Sequence, residues 1–102
     1  MEVSWSETAL KDLSNIYDFI SQDSVGYAGG MADKLIDAAD RLGTFPNIGR
    51  KVPEFDQEHI REVLVGPYRM MYSRSPSILH IVTILHGSRD ILAHIQQENF
   101  VL

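Results

Sequence analysis

The stretch HIREVLVGPYRMMYSRSPSILHIVTILHGSRD, residues 59–90, decides the fold of this chain. It contains three short segments rich in the β-branched and aromatic residues that favour strands. These segments are residues 60–65, 68–74 and 78–86. The dipeptide GP at 66–67 and the tripeptide SPS at 75–77 separate them, and glycine and proline interrupt regular structure. Because loops this short join antiparallel neighbours, the stretch predicts a three-stranded antiparallel meander.

Apolar side chains occupy both the odd and the even positions of the predicted strands, as in ILHIVTIL at residues 78–85, and therefore lie on both faces of the sheet. A sheet with one solvated face would instead alternate apolar and polar residues. Both faces of the predicted sheet therefore need cover, and the helices upstream can cover only one of them. The second face is either a binding surface, since large apolar patches usually contact a partner, or it is covered by the C-terminal tail.

Two helices are predicted before the strands. Apolar residues recur at helical spacing over residues 6–21 and again over residues 24–42, and each series gives one apolar stripe. Ser6 can cap the first helix, while Asp23 or Ser24 can cap the second. Because about three residues join the helices, we expect an antiparallel helical hairpin.

Glycines mark two places in the second helix. Gly43, with Pro46 just beyond it, predicts the end of the helix. The pair Gly29-Gly30 lies inside the helix and should cost about 1 kcal/mol per glycine relative to alanine. Either the two helices approach each other closely at this pair, or the second helix begins after it.

The predicted architecture is one α+β domain over residues 1–102. A brief strand at residues 3–5 precedes the helical hairpin, and a long ordered loop over residues 44–58 follows it, with two phenylalanines as anchors. The meander comes next. A short amphipathic helix over residues 91–97 is predicted after the last strand.

Composition limits the classes of function. The formal net charge of −5 argues against gross electrostatic binding of nucleic acid, and the absence of cysteine excludes disulfides and thiolate metal sites. No apolar run approaches the roughly 20 residues of a membrane helix. These features predict a soluble, cytoplasmic protein without a cofactor. No metal site is expected, because His80 and His86 lie roughly 20 Å apart along one predicted strand.

Positive charge is concentrated in the predicted sheet. Residues 59–90 contain four arginines and two acidic residues, so the rest of the chain is strongly acidic. The arginines are Arg61, Arg69, Arg74 and Arg89. Guanidinium groups suit bidentate contacts with carboxylate or phosphate, so an acidic peptide or a nucleic-acid backbone could be the partner. Each arginine could equally be a solvated residue that protects a sheet edge.

The order of strand, helical hairpin, proline-glycine loop and meander resembles the RelE/ParE superfamily of toxins from bacterial type II toxin-antitoxin modules, often called plasmid stabilisation proteins. The resemblance covers residues 3–90. The matching residues are Trp5, Ala9, Asp12, Leu13, Leu42, Phe45, Pro46, Gly49, Arg50, Ile60, Arg61, Glu62, Tyr68, Arg69, Tyr72, Leu85, His86, Arg89 and Asp90.

This resemblance implies a growth-inhibiting toxin that a cognate antitoxin neutralises in a hetero-oligomer. An acidic, partly disordered antitoxin tail would fold across the toxin and add a helix or strand to its surface. The residues expected to contact the target or the antitoxin are Arg61, Arg69, Tyr72, Arg74, His86 and Arg89.

Two activities occur in this superfamily. RelE-like members cut messenger RNA on the ribosome, whereas ParE-like members poison DNA gyrase. Arg69 and His86 match positions that are catalytic in some ribonuclease members, and Glu54 or Glu58 could supply a carboxylate.

Departures from the ribonuclease pattern favour the ParE-like branch. Ribonuclease members usually carry several lysines and arginines around the site, but this acidic chain has only three lysines, and Gly87 follows His86. We therefore expect a toxin that binds DNA gyrase and has no ribonuclease activity. The alternatives are a ribosome-dependent mRNA endoribonuclease and an inactive relative that only binds its partner.

Overall fold

The structure is a computed structural model, and it describes residues 1–90 and 92–93. In this part of the chain a helical hairpin packs on one face of a five-stranded mixed sheet. The elements in chain order are β1 (Glu2–Trp5), α1 (Glu7–Ser21), α2 (Val25–Thr44), β2 (Arg50–Lys51), β3 (Ile60–Val65), β4 (Tyr68–Arg74) and β5 (Ile78–His86). The strands lie side by side in the order β1-β5-β4-β3-β2. The predicted α+β class is confirmed.

The predicted meander forms the centre of the sheet, as β3, β4 and β5. Gly66 has a positive φ of 56° in the two-residue turn between β3 and β4, a conformation that glycine adopts without strain. Two short strands extend the meander, because β1 pairs parallel to β5 and β2 pairs antiparallel to β3. The brief N-terminal strand predicted at residues 3–5 is present as β1, whereas β2 was not predicted, so the sheet has one strand more than the sequence indicated.

Both helices begin at capping serines, as predicted. The Ser6 hydroxyl accepts a hydrogen bond from the Ala9 N–H at 2.9 Å, and the Ser24 hydroxyl accepts one from the Tyr27 N–H at 3.1 Å. Each bond satisfies a backbone donor that the first turn of a helix leaves open. Of the two candidate caps for α2, Ser24 is therefore the one used, and Asp23 is not.

Gly43 has a different role from the predicted one. The helix α2 continues through Gly43 to Thr44, so this glycine does not end the helix. A Cβ at Gly43 would lie 2.9 Å from the Met1 carbonyl oxygen and 2.9 Å from Val3 Cγ2. Glycine at this position permits the close contact between α2 and β1.

The pair Gly29-Gly30 has neither of its two predicted explanations. The helix α2 begins before the pair, at Val25. A Cβ built at Gly29 or Gly30 would meet nothing within 4 Å in the described part of the chain, so no close helix contact requires these glycines. They therefore weaken α2 without a packing gain in the isolated domain.

Apolar residues fill both faces of the sheet. The inner core, beneath the helices, is formed by Ala9, Leu35, Ala39, Leu42, Tyr68, Met70, Tyr72, Leu79, Ile81 and Ile84. The outer core is formed by Val52, Ile60, Met71, Val82 and Leu85. The loop after β2 covers this second face, since it contributes Val52 and packs Phe55 against the others. The sequence offered two alternatives for this face, a binding surface or cover by the C-terminal tail, and cover by this loop was not one of them.

The C-terminal helix predicted over residues 91–97 lies outside the described residues, apart from Leu92 and Ala93, which are helical. The tail considered as a cover for the sheet lies outside them as well. Across residues 1–90 and 92–93, no helix is long and apolar enough to cross a membrane.

Candidate functional site

Four charged side chains form a continuous ion-pair network on the outer face of the sheet. The Arg69 guanidinium donates from Nε to Glu62 Oε1 at 2.6 Å, and from Nη1 and Nη2 to the two Glu54 carboxylate oxygens at 2.9 and 2.8 Å. Glu62 Oε2 accepts a further hydrogen bond from Arg50 Nε at 2.7 Å. We call Arg50, Glu54, Glu62 and Arg69 the outer-face network.

Strand register and the loop after β2 bring the network together. Glu62 pairs with Met71 and Arg69 pairs with Leu64 across β3 and β4, and this register places Glu62 and Arg69 on the same face. The loop then supplies Glu54 from outside. Glu62 is only 1% exposed and Arg69 only 8%. Charges buried to this degree are tolerated because each one is paired and hydrogen-bonded.

Arg69 and Glu54 hold each other in their charged forms. Hydrogen bonds to Glu54 and Glu62 raise the pKa of Arg69 above its ordinary value. The hydrogen bond from Arg69 in turn holds the pKa of Glu54 below its ordinary value. All three side-chain nitrogens of Arg69 donate to carboxylates and use three of its five N–H groups, so a phosphate would have to compete with Glu54 and Glu62 for this guanidinium.

Tyr72 is buried in the inner core and holds the loop that follows α2. Its hydroxyl donates to the Pro46 carbonyl oxygen at 2.9 Å and accepts from the Gly49 N–H at 3.1 Å. Burial raises the pKa of the Tyr72 hydroxyl. A Cβ at Gly49 would lie 2.5 Å from Tyr72 Oη, so only glycine fits beside the hydroxyl. With 0% of its surface exposed, Tyr72 presents nothing to a partner in this conformation.

Arg61 and Arg74 hold the segment that leads into β3. Arg61 donates from Nε to the Glu58 carbonyl oxygen at 3.1 Å and from Nη2 to the Glu58 carboxylate at 2.7 Å. Arg74 donates from Nη2 to the same carbonyl oxygen at 3.3 Å and from Nη1 to Asn47 Oδ1. Both guanidinium groups therefore bind the protein's own loops.

An open groove lies between α1 and the end of β5. It encloses about 390 Å³ and is lined by Asp12, Asn15, Ile16, Phe19, Tyr68, Ile84, Leu85, His86 and Arg89. We call it the His86 groove. Phe19 is 70% exposed, and the His86 ring lies edge-on to the Tyr68 ring with their centroids 5.8 Å apart. His86 Nδ1 is hydrogen-bonded to Ser88 Oγ at 2.7 Å, which fixes the ring at the rim.

The Asp12 carboxylate in this groove is already engaged. Its Oδ2 accepts hydrogen bonds from the Thr83 hydroxyl at 2.5 Å and from the Ile84 N–H at 2.9 Å. These bonds protect the edge of β5 beyond the end of β1, where Trp5 pairs with Ile81. Both bonds use Oδ2, so this carboxylate oxygen has a structural role at the sheet edge.

The six residues predicted to form the site fall in three separate places. Arg61, Tyr72 and Arg74 bind the protein's own loops. Arg69 lies in the outer-face network, and His86 and Arg89 line the His86 groove. Arg69 pairs with Leu85 on the outer face, whereas His86 pairs with Tyr68 on the inner face. The two residues that match ribonuclease positions therefore point to opposite faces of the sheet.

Sequence reasoning missed the roles of three residues of the site. Glu62 was not expected to neutralise arginines, and Glu54 had been considered only as a catalytic carboxylate. Phe19 was not singled out either. Its exposure could have been predicted from its position, because an aromatic residue outside the apolar stripe of α1 must face solvent or a partner. Within residues 1–90 and 92–93, no group of three or more histidine and acidic side chains could hold a metal ion.

This fold also occurs in solved structures of toxin-antitoxin proteins. A chain of the chromosomal ParDE TA system from P. aeruginosa superposes with a TM-score of 0.70 at 19% identity, over 84% of this chain and 95% of that chain. The YoeB/ParE toxin from Agrobacterium tumefaciens gives a TM-score of 0.58 at 17% identity, over 84% of this chain and 98% of that chain. The hairpin on a mixed sheet is thus the fold of ParE-like and RelE-like toxins.

Sequence comparison identifies the family. The model for the ParE toxin of type II toxin-antitoxin system, parDE, matches residues 3–91. Toxin RelE2 of Caulobacter vibrioides is 39% identical over 88 residues, which cover 86% of this chain and 97% of that protein. This chain therefore belongs to the ParE toxin family of type II toxin-antitoxin systems, within the RelE/ParE superfamily. Membership of this family indicates that its partner is an antitoxin.

Proposed function

We propose that this chain inhibits bacterial growth by binding DNA gyrase without cutting RNA, and that the acidic tail of a cognate antitoxin neutralises it in the cytoplasm. The observation that carries the proposal is the engagement of Arg69 by two carboxylates. This arginine matches the position that contacts phosphate in the RNA-cleaving branch of the superfamily. In this chain the carboxylates of Glu54 and Glu62 already neutralise its charge.

RNA cleavage needs an available cation at the scissile phosphate. To turn the paired N–H groups that now bind Glu54 toward a phosphate, Arg69 would first have to release that carboxylate, and a bidentate charge-assisted pair is among the strongest hydrogen-bond arrangements in proteins. After that release, the buried Glu62 carboxylate would still lie 2.6 Å from Arg69 Nε. A fixed negative charge so close to the phosphate would oppose the negative charge that develops during phosphoryl transfer.

His86 is poorly placed to complete such a site. A general acid or base must lie within hydrogen-bond reach of the proton that it transfers. His86 lies at the rim of the inner face with Tyr68, whereas Arg69 lies on the outer face with Leu85. The imidazole Nδ1 is also occupied by Ser88. These positions favour a contact role for His86 over a catalytic role.

The His86 groove has the features of a protein-binding site. Its floor is apolar, one wall carries the exposed Phe19 ring, and its rim carries the exposed Arg89. Aromatic and arginine side chains beside an apolar pocket are enriched among the residues that dominate binding energy at protein interfaces. We therefore infer that the groove contacts the target protein.

Induction of this chain alone in bacteria tests the proposal, with DNA breaks and messenger RNA integrity read in the same cells. The expected result is DNA breaks with intact messages. The variant His86→Ala should leave the messages equally intact, and Lys11→Ala, an exposed change on α1 outside the groove, serves as the control.

Two results would contradict the proposal. Messages cut at codon positions by the wild-type chain but not by His86→Ala, with undamaged DNA, would establish the ribonuclease alternative. Normal growth with a stable, abundant wild-type chain would instead establish an inactive relative that only binds its partner.

A further inference from the structure

The turn after β5 is held in place by three successive backbone N–H groups. The Gly87 N–H donates to the Pro67 carbonyl oxygen at 2.8 Å, which joins this turn to the turn between β3 and β4. The Ser88 N–H donates to His86 Nδ1 at 3.2 Å. The Arg89 N–H donates to the His86 carbonyl oxygen at 2.9 Å. These bonds hold the backbone of His86 and Arg89 at the rim of the His86 groove.

The contact between Ser88 and the His86 ring determines which ring nitrogen carries the proton. A backbone N–H can only donate, so the Ser88 N–H requires an unprotonated Nδ1 as its acceptor. The neutral imidazole has one N–H and one acceptor nitrogen, so its proton is on Nε2. The Ser88 hydroxyl lies 2.7 Å from Nδ1 and can rotate to donate to the same nitrogen. Ser88 therefore stabilises the Nε2–H tautomer of His86.

The Nε2–H group is available to a partner. His86 is exposed, and no acceptor for this N–H occurs among residues 1–90 and 92–93. The neighbouring Arg89 side chain is also exposed, and a guanidinium has donors only. Asp12 Oδ2, in the same groove, already accepts two hydrogen bonds at the sheet edge. The rim therefore offers hydrogen-bond donors and fits a partner that presents oxygen acceptors.

Stability of the turn does not by itself explain a histidine at position 86. Asparagine and aspartate stabilise such a turn equally well, because their side-chain oxygen accepts from the backbone N–H two residues further on. Histidine makes the same bond through Nδ1 and adds an N–H on the side of the ring remote from Ser88. This second donor is the feature that a binding role would use.

We propose that His86 donates a hydrogen bond from Nε2 to an oxygen acceptor of the target protein, and that the N–H and hydroxyl of Ser88 together keep this nitrogen protonated. Ser88 is thus a positioning residue. Arg89 adds positive charge at the same rim, so a carboxylate is the best acceptor. The inference rests on the proposed contact between the groove and the target, whereas the role of Ser88 concerns the free protein.

Nitrogen NMR of the full chain, labelled with ¹⁵N, tests the role of Ser88. At a pH of about 8, where histidine side chains are neutral, Nδ1 of His86 should have the shift of an acceptor nitrogen and Nε2 that of an N–H nitrogen. Ser88→Ala removes the hydroxyl, so the two shifts should move toward each other as the other tautomer becomes populated. Ser77→Ala, at an exposed serine before β5, should leave both shifts unchanged. A proton on Nδ1, or shifts that Ser88→Ala does not move, would overturn this role.

Two substitutions at His86 test the contact, with inhibition of supercoiling by purified gyrase as the measurement. Glutamine places an amide N–H near the position of Nε2, whereas asparagine reaches only as far as Nδ1, where its oxygen can still accept from Ser88. His86→Gln should inhibit at close to wild-type concentrations. His86→Asn should require about three- to tenfold more protein, as expected for one lost hydrogen bond. Equal inhibition by the two variants would overturn the contact.

Failure of the proposed function would give a different result. A wild-type chain that does not inhibit supercoiling would refute gyrase as the target, and the His86 contact with it, while the tautomer measured in the free protein would stand. Inhibition by the wild type with a proton on Nδ1 would instead overturn this inference and leave the proposed function intact.

Discussion

Replacing Arg69 by methionine tests whether the outer-face network is structural. The substitution keeps the aliphatic part of the side chain but removes three charge-assisted hydrogen bonds, two to Glu54 and one to Glu62. If Arg69 is a structural residue, Arg69→Met should lower the free energy of unfolding strongly. If Arg69 is held ready for a ligand, its removal should have little effect on stability.

The expected magnitude follows from burial. Removing one partner of a buried ion pair typically costs about 3–5 kcal/mol, because the other charge stays buried without compensation. The Glu62 side chain is 0% exposed but keeps its contact with Arg50, which is 59% exposed. The loss should therefore lie near the lower limit, about 3 kcal/mol. For a domain of this size, that lowers the melting temperature by about 12 °C or more.

Urea unfolding followed by circular dichroism measures this loss, with Lys51→Met as the matched control. Lys51 also contacts two acidic residues, but these pairs are solvent-exposed, so the control should change stability little. Adding Glu62→Leu to Arg69→Met should recover part of the loss, because it removes the buried carboxylate left without its main partner. Wild-type stability in Arg69→Met would refute the structural role.

Four further predictions concern stability. Gly49→Ala should destabilise the fold by about 2 kcal/mol or more, because its Cβ would lie 2.5 Å from Tyr72 Oη, whereas Gly29→Ala should stabilise it by up to about 1 kcal/mol in the same urea titration. Tyr72→Phe should cost about 2 kcal/mol, measured by thermal unfolding, since it leaves the Gly49 N–H without its acceptor; equal melting temperatures would contradict this. Because Arg69 lowers the folded-state pKa of Glu54, the pair stabilises the protein above about pH 4.5 and loses its effect as pH falls further; the stability difference between wild type and Glu54→Gln should shrink over that range.

Local sequence signals were sufficient for most of the architecture. Helical spacing and capping serines located both helices, and β-branched segments separated by proline and glycine located the three long strands. Each of these signals acts over a few residues, so it can be read without knowing the fold. The parallel pairing of β1 with β5 joins Glu2 to Ile78, and no local pattern carries such information.

The ion pairs of the arginines could not be predicted either, because they also join residues that are distant in sequence. Arg69 meets Glu54 from 15 positions away, across a loop whose path depends on the outer core. The sequence shows that these charges exist but not which of them are paired, and an arginine that looks available in the sequence can be neutralised in the fold. By contrast, His86 is the last residue of β5, Arg89 follows that strand, and both remain exposed, so expecting them at a surface needed only the strand assignment.

Inhibition of DNA supercoiling by purified gyrase tests the central claim most directly, with Phe19→Asp and Leu10→Asp as paired variants. Both residues are exposed on α1, but only Phe19 lines the His86 groove. Wild type and Leu10→Asp should inhibit supercoiling at similar concentrations, and Phe19→Asp should require about tenfold more protein or lose inhibition. Unaffected supercoiling at wild-type concentrations that cut messenger RNA on ribosomes would contradict the account.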